Sequence, residues 1–207
     1  MNDLLDKYAR IARGYSEHDY ADPVRYAEGR AAVILSLGPP LEPGQSVLDL
    51  GCGDGIMAVP LAAFGLRYRG ADASAAMVDA ARARNPGLPF EVSRSEDYEP
   101  PEPVDATICL RSFYYPADRR AFFAHVRGYT RKKFVFDFRP RVHDRALIAA
   151  DLEAAGFRRI VFRPFFLPQL RRLPAAVVPV VYALERTGLP ADLAARRYGR
   201  VFCAASA

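Results

Sequence analysis

At 207 residues, 51% apolar and 26% charged, the chain is long enough for one substantial core and too apolar to be disordered. Its net charge of +5 rests on arginine, because only Lys7, Lys132 and Lys133 are lysines; with abundant alanine and proline this reads as GC-rich compositional bias, so the charge is no evidence for a nucleic-acid partner, and none is expected. The start lacks a basic stretch leading into an apolar block, and no run reaches the roughly 18 apolar residues of a membrane span, so a cytoplasmic protein is expected.

In chain order, helical patterns fit 3–15 and 23–37, and an apolar strand then covers 46–50. That strand runs into Gly51-Cys52-Gly53-Asp54-Gly55, a turn for which small residues are needed because glycine tolerates positive φ and lets a ligand approach the backbone. A strand, a glycine-rich turn and a helix (54–64) form the nucleotide-binding start of an open α/β sheet. Asp49, two residues before the first glycine, sets this turn apart. A pyrophosphate at the helix N-terminus would be repelled by that charge, whereas a ligand carrying a cationic amine suits it.

The second strand, 67–71, ends at Asp72, roughly 20 residues past the glycines, the spacing at which such a unit presents an acid to a ribose diol. A helix over 74–84 is capped by Ser74 and stops at Asn85-Pro86-Gly87. Strands at 88–92 and 104–110 flank a proline-rich surface loop, 97–103. Next come a helix at 117–128, a strand at 133–138, a helix at 144–155 entered through Asp144, and a strand at 157–163. Residues 158–172 hold five arginines and no acid, which fits a solvated face or an anionic substrate or lipid surface. A last strand is expected at 200–205. Strands alternating with helices imply a mostly parallel, doubly wound sheet.

The whole pattern resembles the class I S-adenosylmethionine-dependent methyltransferases, on three motifs between residues 45 and 163. VLDLGCGDG is similar to the family's first motif, which implies that Asp49, Gly51, Cys52 and Gly53 meet the methionine end of S-adenosylmethionine. GADASAAMVDAAR is similar to the second, which implies Asp72 on the ribose and Ala73 and Met77 beside the adenine. VDATICLRSFYY resembles the fourth-strand motif, placing Leu110 at the cofactor and Arg111, Tyr114 and Tyr115 toward the acceptor. The family's usual acid after the third strand is replaced by Arg94, so Ser95 and Glu96 are the adenine candidates.

The resemblance implies a seven-stranded sheet with an antiparallel last strand and a single domain over 1–207. Residues 1–40 would form an N-terminal helical cap, with Tyr15 reaching the cofactor and Tyr8 and Tyr20 as competitors for that place. Residues 164–198 would form a helical insertion between the last two strands, read as a substrate lid, as a structural addition or as a membrane-surface contact. The activity implied is methyl transfer to a small molecule, leaving S-adenosylhomocysteine. RNA or protein methylation and a cofactor-binding module without methyl transfer are the alternatives. The Asn/Asp-Pro-Pro-Tyr/Phe motif of base and glutamine methylation is absent. His143, at the carboxyl edge of the sheet, and Tyr115 are the candidate catalytic groups, while His18 and His125 are weaker. Cys52, Cys109 and Cys203 read as buried thiols, and no cluster has metal-ligand spacing, so no metal is expected.

Overall fold

The computed structural model describes residues 2–186 and 200–207. Three helices, α1 (Asn2–Ile11), α2 (Tyr15–Asp19) and α3 (Pro23–Ser36), precede the sheet. The expected helix over 3–15 is divided because Gly14 adopts φ 70° and opens α2 in the left-handed region. Helix α3 starts where the sequence says it should: Asp22 accepts from the Arg25 N–H and Pro23 takes the first turn, where no amide donor is needed.

Strands β1 (Ser46–Leu50), β2 (Arg67–Asp72), β3 (Phe90–Val92), β4 (Val104–Cys109), β5 (Thr130–Phe138), β6 (Arg158–Phe165) and β7 (Arg200–Ser206) form one sheet in the order β3-β2-β1-β4-β5-β7-β6. All neighbours are parallel except β7, which lies between β5 and β6 and runs antiparallel to both. The expected mostly parallel sheet with an antiparallel last strand is therefore the observed one. The order reverses beside β1, between its partners β2 and β4. That is where a doubly wound sheet opens a crevice at its carboxyl edge.

Helices α4 (Ala58–Ala63), α5 (Ala75–Arg84), α6 (Arg119–Tyr129) and α7 (Arg145–Ala154) connect the strands. Along β5 the period of two sends Val135 to one face, under α3, α4 and α5, and Phe134, Phe136 and Phe138 to the other, under α6 and α7. The second face is an aromatic core: the Phe113 and Phe136 rings are 4.7 Å apart, and Phe134 and Phe136 are 5.0 Å apart. Ser74, Asp118 and Asp144 cap α5, α6 and α7 through their side chains. Helix α4 begins only at Ala58, because Gly53 and Gly55 hold φ 56° and 74° and keep the turn open. The three cysteines are buried and free.

Strand β6 runs two residues further than expected, to Phe165, and α8 (Val178–Arg186) follows within the insertion. Residues 187–198 of that expected insertion lie outside the described residues. No described helix is long and apolar enough to cross a membrane.

Candidate cofactor and acceptor site

The loop after β1 is built from backbone hydrogen bonds. Gly51 and Cys52 donate to the Ala71 carbonyl at 2.8 and 3.0 Å, tying the first glycine turn to the end of β2. Asp72 accepts from the Gly53 N–H on one oxygen and from the Ser74 N–H on the other, both at 2.9 Å. Gly51 sits at φ 72°, and a Cβ there would fall 2.4 Å from the Ser112 hydroxyl, so conformation and space both exclude a side chain.

Asp49 is buried at the floor, and Tyr68 donates to it at 2.7 Å. Burial pushes its carboxyl up to about 7; the Tyr68 hydrogen bond opposes this and the neighbouring Asp72 adds to it. Burial also raises Asp72, against the two backbone donors that favour its charged form. Two carboxyls held above their ordinary range in a cleft form a site prepared for a cationic, donor-rich ligand.

A cavity of about 330 Å³ opens over this floor, lined by Asp49, Gly51, Cys52, Gly53, Asp72 and Ala73. Met77, Ser95, Glu96 and Leu110 extend the wall, and Tyr15 closes it from α2. Tyr8 and Tyr20 line it too, so all three tyrosines weighed for the cap reach the cavity. Arg94 also lines it, but its guanidinium is paired with Glu96 and lies 3.5 Å from Asp97. The residue that departs from the family pattern is thus held by the acids that follow it.

The opposite end carries Arg111, Tyr114 and Tyr115. Arg111 has φ 59°; its N–H donates to Asp137 at 2.6 Å and its guanidinium to Asp19 and Tyr20, each at 2.7 Å. It therefore joins the end of β4 to the cap. The hydroxyls of Tyr115 and Tyr8 meet at 2.7 Å, across the entrance. Burial and this contact push the Tyr115 hydroxyl up to about 12, and burial with the Tyr115 contact does the same for Tyr114. Both stay protonated at neutral pH. His143 is not among the cavity-lining residues. Its ring lies behind Tyr114, stacked at 5.6 Å, and edge-on to Phe113 at 5.1 Å. Burial, followed by Arg119, lowers its pKa, so the imidazole is neutral at pH 7 and can accept a proton.

Two residues escaped sequence reasoning. Asp54 accepts from the Ser16 N–H (3.1 Å) and hydroxyl (2.7 Å) and from Arg84 (2.8 Å), fixing α2 to the glycine turn. Its place inside GCGDG was the available signal. Arg30, 3% exposed, lines the cavity from α3 with its guanidinium carbon 4.7 Å from the Tyr26 ring centre. Its Nη1 donates to Tyr20 at 3.4 Å and its Nη2 lies 3.5 Å from Asp137, yet Nε and Nη2 have no hydrogen-bond partner. A buried cation with unpaired donors is costly unless a ligand supplies the acceptor. Against burial, Arg200 and Arg30 hold the Asp137 carboxyl below its ordinary range.

Residues 47–133 match the family model described as a methyltransferase domain. Over that span the chain carries an S-adenosylmethionine-dependent methyltransferase domain. A ubiquinone biosynthesis O-methyltransferase of Paramagnetospirillum magneticum is 33% identical over 105 residues, which are 49% of this chain and 42% of that protein. The match thus spans less than half of the curated relative's length. A chain of the complex between the Haloferax volcanii Trm112 methyltransferase activator and a methyltransferase aligns with TM-score 0.68 at 21% identity, over 97% of each chain. Magnesium protoporphyrin IX methyltransferase of Synechocystis PCC 6803, with bound SAM, aligns with TM-score 0.58 at 20% identity, over 98% of this chain and 84% of that one. At those identities the solved structures establish a shared methyltransferase fold. Among the described residues, no group of three or more His, Cys, Asp or Glu could hold a metal ion.

Proposed function

We propose that this chain is a cytoplasmic enzyme that moves a methyl group from S-adenosylmethionine to a small molecule, with residues 1–40 as the cap of a single domain. The observation that carries this reading is the pairing at the floor: the Asp49 carboxyl and the Arg30 guanidinium line one cavity, one matched to an ammonium and the other to a carboxylate. Asp72 is placed for the ribose diol, and Met77 with Ser95 and Glu96 for the adenine. When bound, the cofactor supplies a methyl carbon on a sulfonium; transfer forms one bond to the acceptor as the carbon–sulfur bond breaks.

The protein's part is alignment and exclusion of water. Tyr8, Tyr15 and Tyr20 from the cap and Tyr114 and Tyr115 from the end of β4 give the acceptor aromatic walls, and such faces attract a sulfonium. His143, neutral and one ring removed from the cavity, would accept the acceptor's proton only if Tyr114 turns aside. Tyr115, protonated, would orient the acceptor by hydrogen bonding. An entrance bridged by two hydroxyls suits a small molecule better than a polymer. The relatives named for ubiquinone and protoporphyrin methylation support the same class, while the Trm112 complex is the reason to test RNA and protein acceptors alongside.

Titration calorimetry of S-adenosylhomocysteine into wild type and Asp72→Ala tests the cofactor half. Micromolar or tighter binding that the substitution weakens at least tenfold, about 1.4 kcal/mol, is expected. Preference for NADH, or absence of binding to folded protein, would sink the reading. Release of S-adenosylhomocysteine with small phenols and acids, against bulk tRNA and protein, then tests the acceptor class.

A further inference from the structure

Helix α8 turns apolar side chains both inward and outward and buries its one acid. A surface helix normally turns its apolar stripe to the core and its charges to water. Here Glu185 is 4% exposed and its carboxylate accepts from the Phe166 N–H at 2.6 Å, while Val178 and Tyr182 pack on the core. Val180 and Leu184 face outward, 56% and 49% exposed. The segment before the helix also exposes Leu170, at 75%, and Val177, at 40%. Arg171 and Arg172 are exposed beside Leu170. From Arg158 to Leu184 the sequence contains no acid.

The arginine-rich run is divided by the fold. Arg158 and Arg159 start β6, and the eight residues of that strand carry them about 23 Å from its end. Arg171 and Arg172 lie in the exposed segment that leads into α8. That face is anchored beside the cavity: Ala21 donates to the Gln169 carbonyl at 2.9 Å, Arg172 to the Ala21 carbonyl at 2.8 Å, and Arg25 to the Leu173 carbonyl at 3.0 Å. Gln169 also donates to the Asp19 carbonyl at 3.1 Å, and Asp19 holds Arg111 of the cavity wall.

We infer that this face, Leu170 to Leu184, seats on an anionic lipid bilayer, its apolar side chains entering the headgroup boundary and Arg171 and Arg172 meeting lipid phosphates. An outward apolar stripe beside cations of one sign is the composition of an interfacial helix. A second copy of the chain fits less well, because a two-fold contact would bring two copies of the arginine pair into one interface, and the sequence from Arg158 to Leu184 offers no acid to balance them. Nucleic acid fits less well because it offers nothing to the valines and leucines. The inference goes beyond methyl transfer and its test needs no acceptor. It places the cap and the cavity entrance near the lipid surface, where an amphiphilic acceptor would be met.

The test is flotation of the full chain with phosphatidylcholine vesicles, with and without roughly a third phosphatidylglycerol, at about 0.1 M salt. Wild type should float with the anionic vesicles and stay behind with the neutral ones. Arg171→Glu should weaken partition about tenfold, in keeping with the attraction expected of each basic residue near such a surface. Leu170→Asp and Val180→Asp should each weaken it at least as much, with S-adenosylhomocysteine binding unchanged as the check on folding. Failure of wild type to float with anionic vesicles overturns the inference. So does flotation that survives both aspartate substitutions, which would mark a general polyanion surface, or a dimer that those substitutions dissolve.

Discussion

The two ends of the cavity are held by different means. At the β1–β2 end, backbone amides of Gly51, Cys52, Gly53 and Ser74 fix the turns, and the only side chain they require is Asp72. At the β4–cap end the contacts run between side chains far apart in the chain: Tyr8 to Tyr115, and Arg111 to both Asp19 and Tyr20. The first end is held by main-chain donors within two neighbouring turns. The second is closed by a few solvent-accessible polar contacts, each worth on the order of 1 kcal/mol, which an entering ligand can afford to break. The difference separates an end shaped by the main chain of two neighbouring turns from an end set by contacts between distant side chains.

The largest effects should come from the charged floor. Arg30→Met should weaken S-adenosylhomocysteine binding by about 10- to 100-fold, the range of a lost charged hydrogen-bond pair. Binding of 5′-methylthioadenosine, which lacks the amino-acid end, should be nearly unchanged. Equal losses for the two ligands would mean that Arg30 only supports α3 and Asp137, and the zwitterion pairing would fall.

Asp49 offers a prediction in which stability and binding move in opposite directions. Its folded pKa, about 7, lies above the unfolded value, so the folded state binds the extra proton between about pH 4 and 7. Stability is therefore lost as pH rises through that window. Asp49→Asn should be more stable than wild type by about 1–3 kcal/mol at pH 8 and nearly equal to it at pH 4. Urea denaturation at the two pH values reads this. The same substitution should weaken S-adenosylhomocysteine binding at least tenfold. In wild type, affinity should fall as pH drops below 7, by up to about tenfold per unit, because the ammonium requires the ionised carboxylate. A flat pH profile would remove Asp49 from the amine.

Legibility in the sequence follows the same division. Gly51, Gly53, Asp49 and Asp72 could be read because a strand, a turn and a βα spacing fix where they go within a few dozen residues. The seven strands and the antiparallel last one could be read from alternation and family resemblance, and the caps Ser74 and Asp144 from their place before helical runs. Arg30 could not, because nothing local marks one arginine in α3 as turned inward onto Tyr26. The closeness of Tyr8 to Tyr115 depends on how α1 lies over the end of β4, which no short pattern encodes. His143 follows β5 at the carboxyl edge of the sheet, as its sequence position implies, but that position carries no information that Tyr114 stands between it and the cavity.

The smallest predicted effect probes the entrance. Tyr8→Phe and Tyr115→Phe each remove one side of a 2.7 Å hydroxyl contact between partly exposed groups. Either substitution should change stability by less than about 1 kcal/mol and S-adenosylhomocysteine affinity by less than about threefold, and the double variant should show a coupling of about 0.5 kcal/mol. If the contact gates entry, its loss should instead speed dissociation of S-adenosylhomocysteine in stopped-flow, with the two single variants and the double variant giving the same rate. Additive rate changes would show that the two hydroxyls act separately, so that the entrance is bordered by tyrosines without being latched by them.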